Sequence, residues 1–160
     1  MKKIIFALVL LILMCSCSQK SIQKPETVFN SATITVSTKD TSISGTASRS
    51  GANMWSFTFT APDNIKGLTV TKKGGGYETS FMGLTRTHAD TPLEKDSPIE
   101  DIFSLLEYIE QNECEQTNTD KEKTEFVYKT EKRDYKVTAD CTTGAISGIS
   151  CDDYEALFSY

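Results

Sequence analysis

The strongest constraint on this fold is strict alternation of apolar and hydroxyl side chains. Trp55, Phe57 and Phe59 are large and apolar, and Ser56, Thr58 and Thr60 stand between them. Successive side chains of a strand point to opposite faces, so a period of two describes a strand with one buried and one wet face. The same pattern runs through Ala32-Thr33-Ile34-Thr35-Val36-Ser37, where Ile34 and Val36 mark the inner face, and through Leu68 and Val70 against Thr69 and Thr71. Pro62-Asp63-Asn64 and Lys73-Gly74-Gly75-Gly76 are turns, and Tyr77, Thr79 and Phe81 resume after the second. Short strands joined by turns form an antiparallel meander.

The text from Thr85 to Pro98 is polar, with Pro92 and Pro98 as breakers, and reads as a loop. Ser97 then has the makings of an N-cap, Pro98 of the first helical residue, and Glu100 of the third-position partner in a capping box. Ile99, Ile102, Phe103, Leu106 and Ile109 recur at helical spacing, which predicts an amphipathic helix over 98–111. Its apolar stripe needs a partner, and the aromatic face of the sheet supplies one. Strands return with Phe126, Tyr128 and Thr130, then Tyr135, Val137 and Ala139. Asp140–Gly144 makes a hairpin corner into Ala145–Cys151. Tyr154, Ala156, Phe158 and Tyr160 alternate to the last residue, which predicts a closing strand paired in the sheet and a complete domain. The fold class is therefore α+β: an antiparallel sheet of about eight or nine strands with one helix on its apolar face, or alternatively a tight sandwich with a peripheral helix.

The first residues obey a different logic. Lys2 and Lys3 precede an apolar run from Ile4 to Leu13 and then Met14-Cys15-Ser16-Cys17. The run is far short of the ~20 residues that cross a bilayer, so it reads as a secretory signal. Residues Met14–Cys17 resemble the lipobox of bacterial lipoproteins, which has a small residue before the modified cysteine and an aliphatic one three places before it. Ser16 and Met14 fill those places for Cys17, whereas Cys15 would put bulky Met14 at the cut. The resemblance implies a signal peptide over 1–16, acylation of Cys17, a lipidated tether over 17–30 and a single domain over 31–160. It implies a location on the extracytoplasmic side of a bacterial membrane, with the Gram-positive or Gram-negative envelope left open. Two or more acyl chains hold firmly where one holds marginally.

Removal of 1–16 takes Lys2 and Lys3 with it, leaving 15 basic against 22 acidic residues and a net charge of −7. A domain of that charge is a poor partner for nucleic acid or for anionic headgroups, so the lipid must supply the membrane affinity. Cys114, Cys141 and Cys151 remain. Three thiols allow at most one disulfide, and any one pairing or three free thiols fit the sequence equally.

A longer resemblance rests on the order of pieces: Ser42-Ile43-Ser44-Gly45-Thr46-Ala47, then Trp55 to Pro62, then Ile65-Lys66-Gly67-Leu68-Thr69-Val70, then Phe81-Met82-Gly83-Leu84, a helix, and a second meander with Val137 to Asp140 and Gly144. This order resembles uncharacterised lipoproteins of Gram-positive bacteria with the fold of the periplasmic lipoprotein carrier (LolA-like). The resemblance implies a curved antiparallel half-barrel with helix on its concave face and an apolar interior able to hold acyl chains.

Catalytic chemistry is hard to assemble. His88 is the single histidine and stands in the polar stretch, without a second His or Cys at ligand spacing. Ser147 in Gly144-Ala145-Ile146-Ser147-Gly148 is one place too late for a nucleophile elbow. Gly74–Gly76 lies between two strands, outside a phosphate-cradling context, and the acidic pairs Asp152-Asp153 and Glu113/Glu115 lack a calcium-loop arrangement. The chain is thus expected to be no enzyme and to need no metal or cofactor. Functional potential is confined to the aromatic stripe. Trp55, Phe57, Phe59, Leu68, Val70, Tyr77 and Phe81, with Phe103 and Leu106 from the helix, could line a groove for an acyl chain or other hydrophobic small molecule. The alternative is a filled core in a structural or protein-interaction module, with the Ser/Thr face turned outward.

Overall fold

A computed structural model of the chain describes residues 23–51, 54–88, 97–120 and 122–160. The signal segment and Cys17 lie outside the described residues. Alternation is realised strand by strand: β1 (Ser31–Thr38), β2 (Ser42–Arg49), β3 (Met54–Ala61), β4 (Thr69–Lys73), β5 (Gly76–Phe81), β6 (Leu84–His88), helix α1 (Pro98–Gln111), β7 (Gln116–Thr119), β8 (Lys123–Lys129), β9 (Asp134–Asp140), β10 (Ile146–Ser150) and β11 (Tyr154–Ser159). Among the described residues all eleven strands form one antiparallel sheet in the order β6-β5-β4-β3-β2-β1-β11-β10-β9-β8-β7. The ends do not meet, so β6 and β7 are edges. The expected eight or nine strands become eleven because Leu84–His88, read in large part as loop, pairs with β5, and Gln116–Thr119 pairs with β8.

Helix α1 joins the two edge strands in sequence and crosses the sheet's apolar face. It touches β5 through Glu100 and Tyr77, β4 through Glu107 and Lys72, and β8 through the Tyr108 hydroxyl, which donates to the Lys129 carbonyl. In a flat sheet β5 and β8 would stand about 38 Å apart at ~4.8 Å per strand. A helix roughly 10 Å across and about 21 Å long reaches both only if the sheet curls around it. The concave face is therefore the apolar one. It holds Ile34, Val36, Ala47, Trp55, Phe57, Val137, Ile149 and Ala156, all essentially buried, against Ile99, Ile102, Phe103, Leu105, Leu106 and Ile109 of the helix. The convex face is a hydroxyl surface, with Thr35 bonded to Ser44, Ser56 to Thr71 and Thr58 to Thr69, each at 3.0 Å.

Local details depart from the sequence expectations or add to them. Ser97 holds the N-cap position and Pro98 the first turn, but no side-chain capping bond forms. Glu100 lies near the Tyr77 hydroxyl and helps to raise its pKa. Ile146 and Ile149 are both buried although three residues apart, because a bulge at Ser147 shifts β10 against β9 and re-phases the strand. Finally, packing begins ahead of residue 31, within the stretch expected to be tether. Pro25, Thr27 and Phe29 are buried alternately, and Glu26 N–H donates to the Gly144 carbonyl at 2.7 Å. The Phe29 ring meets Trp55 at 5.5 Å and Phe158 at 6.2 Å. A Cβ on Gly144, whose φ is +76°, would come within 2.6 Å of the Lys24 carbonyl oxygen, so this glycine admits the incoming segment.

Candidate hydrophobic ligand groove

The concave face carries the whole aromatic stripe, but the helix covers only part of it. Trp55 is fully buried and stacks on Phe103, with centroids 5.6 Å apart and planes 20° from parallel. Phe57, Val70, Tyr77 and Leu106 are buried with it. The Arg49 guanidinium lies 4.9 Å from the Trp55 ring centroid and completes the cover. At this end the space between sheet and helix is occupied by side chains. Gly45 shows how tightly: a Cβ there would stand 2.5 Å from the Phe57 ring.

Towards the opposite ends of β3–β6 the cover thins. Phe59 is 9% exposed, Leu68 and Phe81 are half-buried, and Leu84 is 78% exposed. These four share one face. Phe59 and Leu68 meet through the Phe59 N–H, which donates to the Leu68 carbonyl at 2.9 Å, and Phe81 pairs with Leu84 across the β5–β6 turn. The turn is Met82-Gly83 with φ of +50° and +80°. Left-handed backbone at both central residues matches the twist of a hairpin, and it holds Met82, 86% exposed, outside the fold. The apolar face thus continues past the helix and ends at an exposed edge strand.

The predicted groove residues therefore separate into a sealed set (Trp55, Phe57, Val70, Tyr77, Phe103, Leu106), a buried residue at the boundary (Phe59) and an open set (Leu68, Phe81). Leu84 belongs to the open set and was not among the residues expected there. Its signal was legible, since a two-residue turn between Phe81 and Leu84 places both on one face.

Polar groups along the helix hold the cover down. Asp101, 7% exposed, accepts from the Tyr135 hydroxyl at 2.7 Å and the Tyr154 hydroxyl at 3.1 Å, with Arg133 Nε at 3.8 Å. Burial, reinforced by the Asp101 carboxylate, pushes both tyrosines well above the ordinary phenol range. Tyr77 is raised too, chiefly by burial and then by Glu100 and Glu107. On the other flank Lys72 bonds Glu107 at 2.6 Å, and Arg49 makes a two-pronged pair with Glu110. Thr27 adds a hydrogen bond to Glu110 at 2.8 Å, and together Arg49 and Thr27 hold that carboxyl below its ordinary range in spite of partial burial. An open cleft of about 450 Å³ beside Thr27, Phe29, Asn30, Arg49 and Glu110 is lined by these mutually paired groups.

The remaining candidates do not assemble a reactive centre. His88 lies on β6 rather than in a loop, with Nε2 at 3.3 Å from the Thr79 hydroxyl. The Ser147 hydroxyl donates to the Thr138 carbonyl at 3.3 Å. Cys114, Cys141 and Cys151 are not joined to one another by a disulfide, which is one of the outcomes the sequence allowed. Among the described residues no cluster of His, Cys, Asp or Glu is arranged to hold a metal ion, and no helix is long and apolar enough to cross a membrane.

No family model matches the chain, and no curated protein matches it. Among solved structures, the LolA superfamily protein NE2245 from Nitrosomonas europaea is similar with a TM-score of 0.43 at 8% identity, over 81% of this chain and 82% of that one. The Mycobacterium tuberculosis lipoprotein LppX is similar with a TM-score of 0.41 at 13% identity, over 96% and 93%. Both likenesses are of outline only.

Proposed function

We propose that this chain is a lipid-anchored, extracytoplasmic protein without catalytic activity that binds a hydrophobic ligand on the open end of its concave face. One observation carries the ligand: apolar side chains on that face run from 9% exposed at Phe59 to 78% exposed at Leu84, on four adjacent strands, where the face is no longer sealed as it is at Trp55. An apolar concave surface of this kind gains about 25 cal/mol for each Å² it removes from water. The groove binds a chain laid along its rim; the space beneath the helix is already filled by Trp55 and Phe103.

The anchor and the groove are tested separately. In a bacterial host a fatty-acid analogue should label the protein, and Cys17→Ser should abolish labelling; retained labelling in that variant, with loss in Cys15→Ser, moves the site. For the groove, a photoreactive alkyl probe should tag the peptides around Phe81 and Leu84, and Leu84→Ser with Phe81→Ser should reduce tagging while the fold, followed by circular dichroism, persists. The packed interior at Trp55 and Phe103 favours a second reading, a structural or protein-interaction module, and the absence of tagging at the hairpin in the wild-type protein would establish it over the first.

A further inference from the structure

The β5–β6 pairing puts one cation at the rim of the open apolar face. Tyr77 faces His88, Thr79 faces Arg86 and Phe81 faces Leu84, and all six share the concave side because Tyr77 is buried there. Arg86 lies two residues from Leu84 on its own strand, about 7 Å along, and is a diagonal neighbour of Phe81 at about 7–8 Å, within reach of so long a side chain. The chain has three arginines. Arg49 is paired with Glu110, and Arg133 with Asp153 and Asp101. Arg86 is exposed, and among the described residues no carboxylate lies within ion-pair distance of it. Of the described acids on the neighbouring strand, Glu78 faces the convex side opposite Thr87 and pairs with Lys73 at 3.0 Å. In a domain with so large an excess of acid, an arginine left unpaired beside a half-exposed apolar strip has a charge to offer to something other than its own chain.

Building on the hydrophobic-ligand reading, we propose that the ligand is an anionic amphiphile with a single acyl chain. The chain lies across Phe59, Leu68, Phe81 and Leu84, and the carboxylate or phosphate head is held by Arg86. From β3 to β6 the strip spans about 14 Å at ~4.8 Å per strand, the length of one extended acyl chain of roughly a dozen carbons laid across the strands. A guanidinium presents a planar fork of donors that matches a carboxylate or phosphate two oxygens at a time, a geometry a hydroxyl or ester head cannot return. His88 and the Thr79 hydroxyl flank Arg86 on the same face and add hydrogen-bonding capacity toward that head.

The full-length protein is expressed and processed in bacterial cells, and the cells are given photoreactive probes with one twelve-carbon chain and three heads: carboxylate, phosphate monoester or primary alcohol. After illumination, tagging of the peptide spanning residues 76–88 is quantified by mass spectrometry. The proposal predicts that at least one anionic probe tags this peptide about fivefold more than the alcohol, an increment expected of a single charge-assisted contact at a partly wet site. Arg86→Gln should reduce the anion to the level of the alcohol and leave the alcohol unchanged, and Arg86→Lys should restore part of the difference. The stronger of the two anions identifies the head. Equal tagging by all three probes, indifferent to Arg86→Gln, overturns the anionic ligand while leaving the hydrophobic groove standing. No tagging of this peptide by any probe overturns both. Tagging confined to Met82, and competed away by added vesicles of neutral phosphatidylcholine, means the hairpin touches a bilayer and overturns the groove as a binder of single molecules. Arg86 is exposed on an edge strand, so unchanged Trp55 emission in the variants certifies the fold.

Discussion

Trp55 and Leu84 occupy the same face of the same sheet, three strands apart, and their surroundings could hardly differ more. Trp55 is enclosed by Phe29, Phe103 and Arg49, while Leu84 stands in water on an edge strand. Both fall on the apolar phase of their strands. The helix makes the difference: its flanks are tied at Asp101 on one side and at Glu107 and Glu110 on the other, and the rim by β5–β6 is left open. Hydrophobic phase therefore marks which face is concave, and cover decides whether a residue there stabilises the fold or remains available to a ligand.

The largest effect should come from the covered side. Trp55→Ala removes the ring that joins the sheet, the helix and the N-terminal segment, and should cost about 3–5 kcal/mol, near the whole margin of a domain this size. Leu84→Ser should cost less than about 0.5 kcal/mol, because exposed substitutions stay within that range. Urea titrations of the two variants measure both. A costly Leu84→Ser would mean that the rim is part of the core and would remove the groove. Consistent with burial, Trp55 emission should be blue-shifted and poorly quenched by iodide.

Next in size is the Asp101 cluster. Asp101→Ala leaves two buried tyrosine hydroxyls and Arg133 without their shared acceptor, and should destabilise by about 3 kcal/mol. Helix amides facing β9 and β11 should lose exchange protection first. The buried tyrosines predict a base limit. Tyr77, Tyr135 and Tyr154 have pKa values raised above the unfolded-state value of 10, so the stability they contribute is complete below pH 10 and is lost as pH rises above it. Ionisation of Tyr77, Tyr135 and Tyr154, followed residue by residue by NMR, should therefore accompany loss of the circular dichroism signal above pH 10. Ionisation of any of these three at pH 10 in a fully folded protein would contradict their burial.

Much of this architecture is legible in the chain, and the lapses have physical causes. Strands with one buried face, such as β3 and β9, announce themselves because water and core select opposite side chains. Edge strands escape that selection. Leu84-Thr85-Arg86-Thr87-His88 carries little core pattern because little covers it, and so it passes for a loop. Ser97 and Glu100 have the right identities and spacing for a capping box, yet the Ser97 side chain makes no capping bond, since matching spacing permits that bond without securing it. The bulge at Ser147 breaks the period of two where Ile146 and Ile149 both need the inside. Of the groove, the aromatic phase was readable, but the line between sealed and open residues depends on how the helix lies across the sheet, which no local pattern encodes.

The most local effect concerns the segment that leads into β1, where tether and domain meet. The alternation of Pro25, Thr27 and Phe29 is as regular as that of a strand, and Thr27 ties it to the helix through Glu110, itself held by Arg49. Thr27→Val keeps the shape and removes one hydrogen bond, which should cost about 1 kcal/mol. The effect should be local, appearing as faster hydrogen exchange and proteolysis over residues 24–30, with the global transition barely moved. Acid should act the same way. Glu110 has its pKa lowered beneath the ordinary 4.5, chiefly by the Arg49 bond, so its contribution is present above pH 4.5 and fades as pH falls through the folded-state value. The Glu110 end of the pair is reached by solvent and salt will screen it, so the loss should be smaller than that of Thr27→Val. Protection of residues 24–30 should therefore decline below pH 4.5 while that of β3 and β9 stays constant. If these residues exchange freely at neutral pH in the wild-type protein, the segment is tether as far as β1, and Trp55 has lost one of the three walls that distinguish it from Leu84.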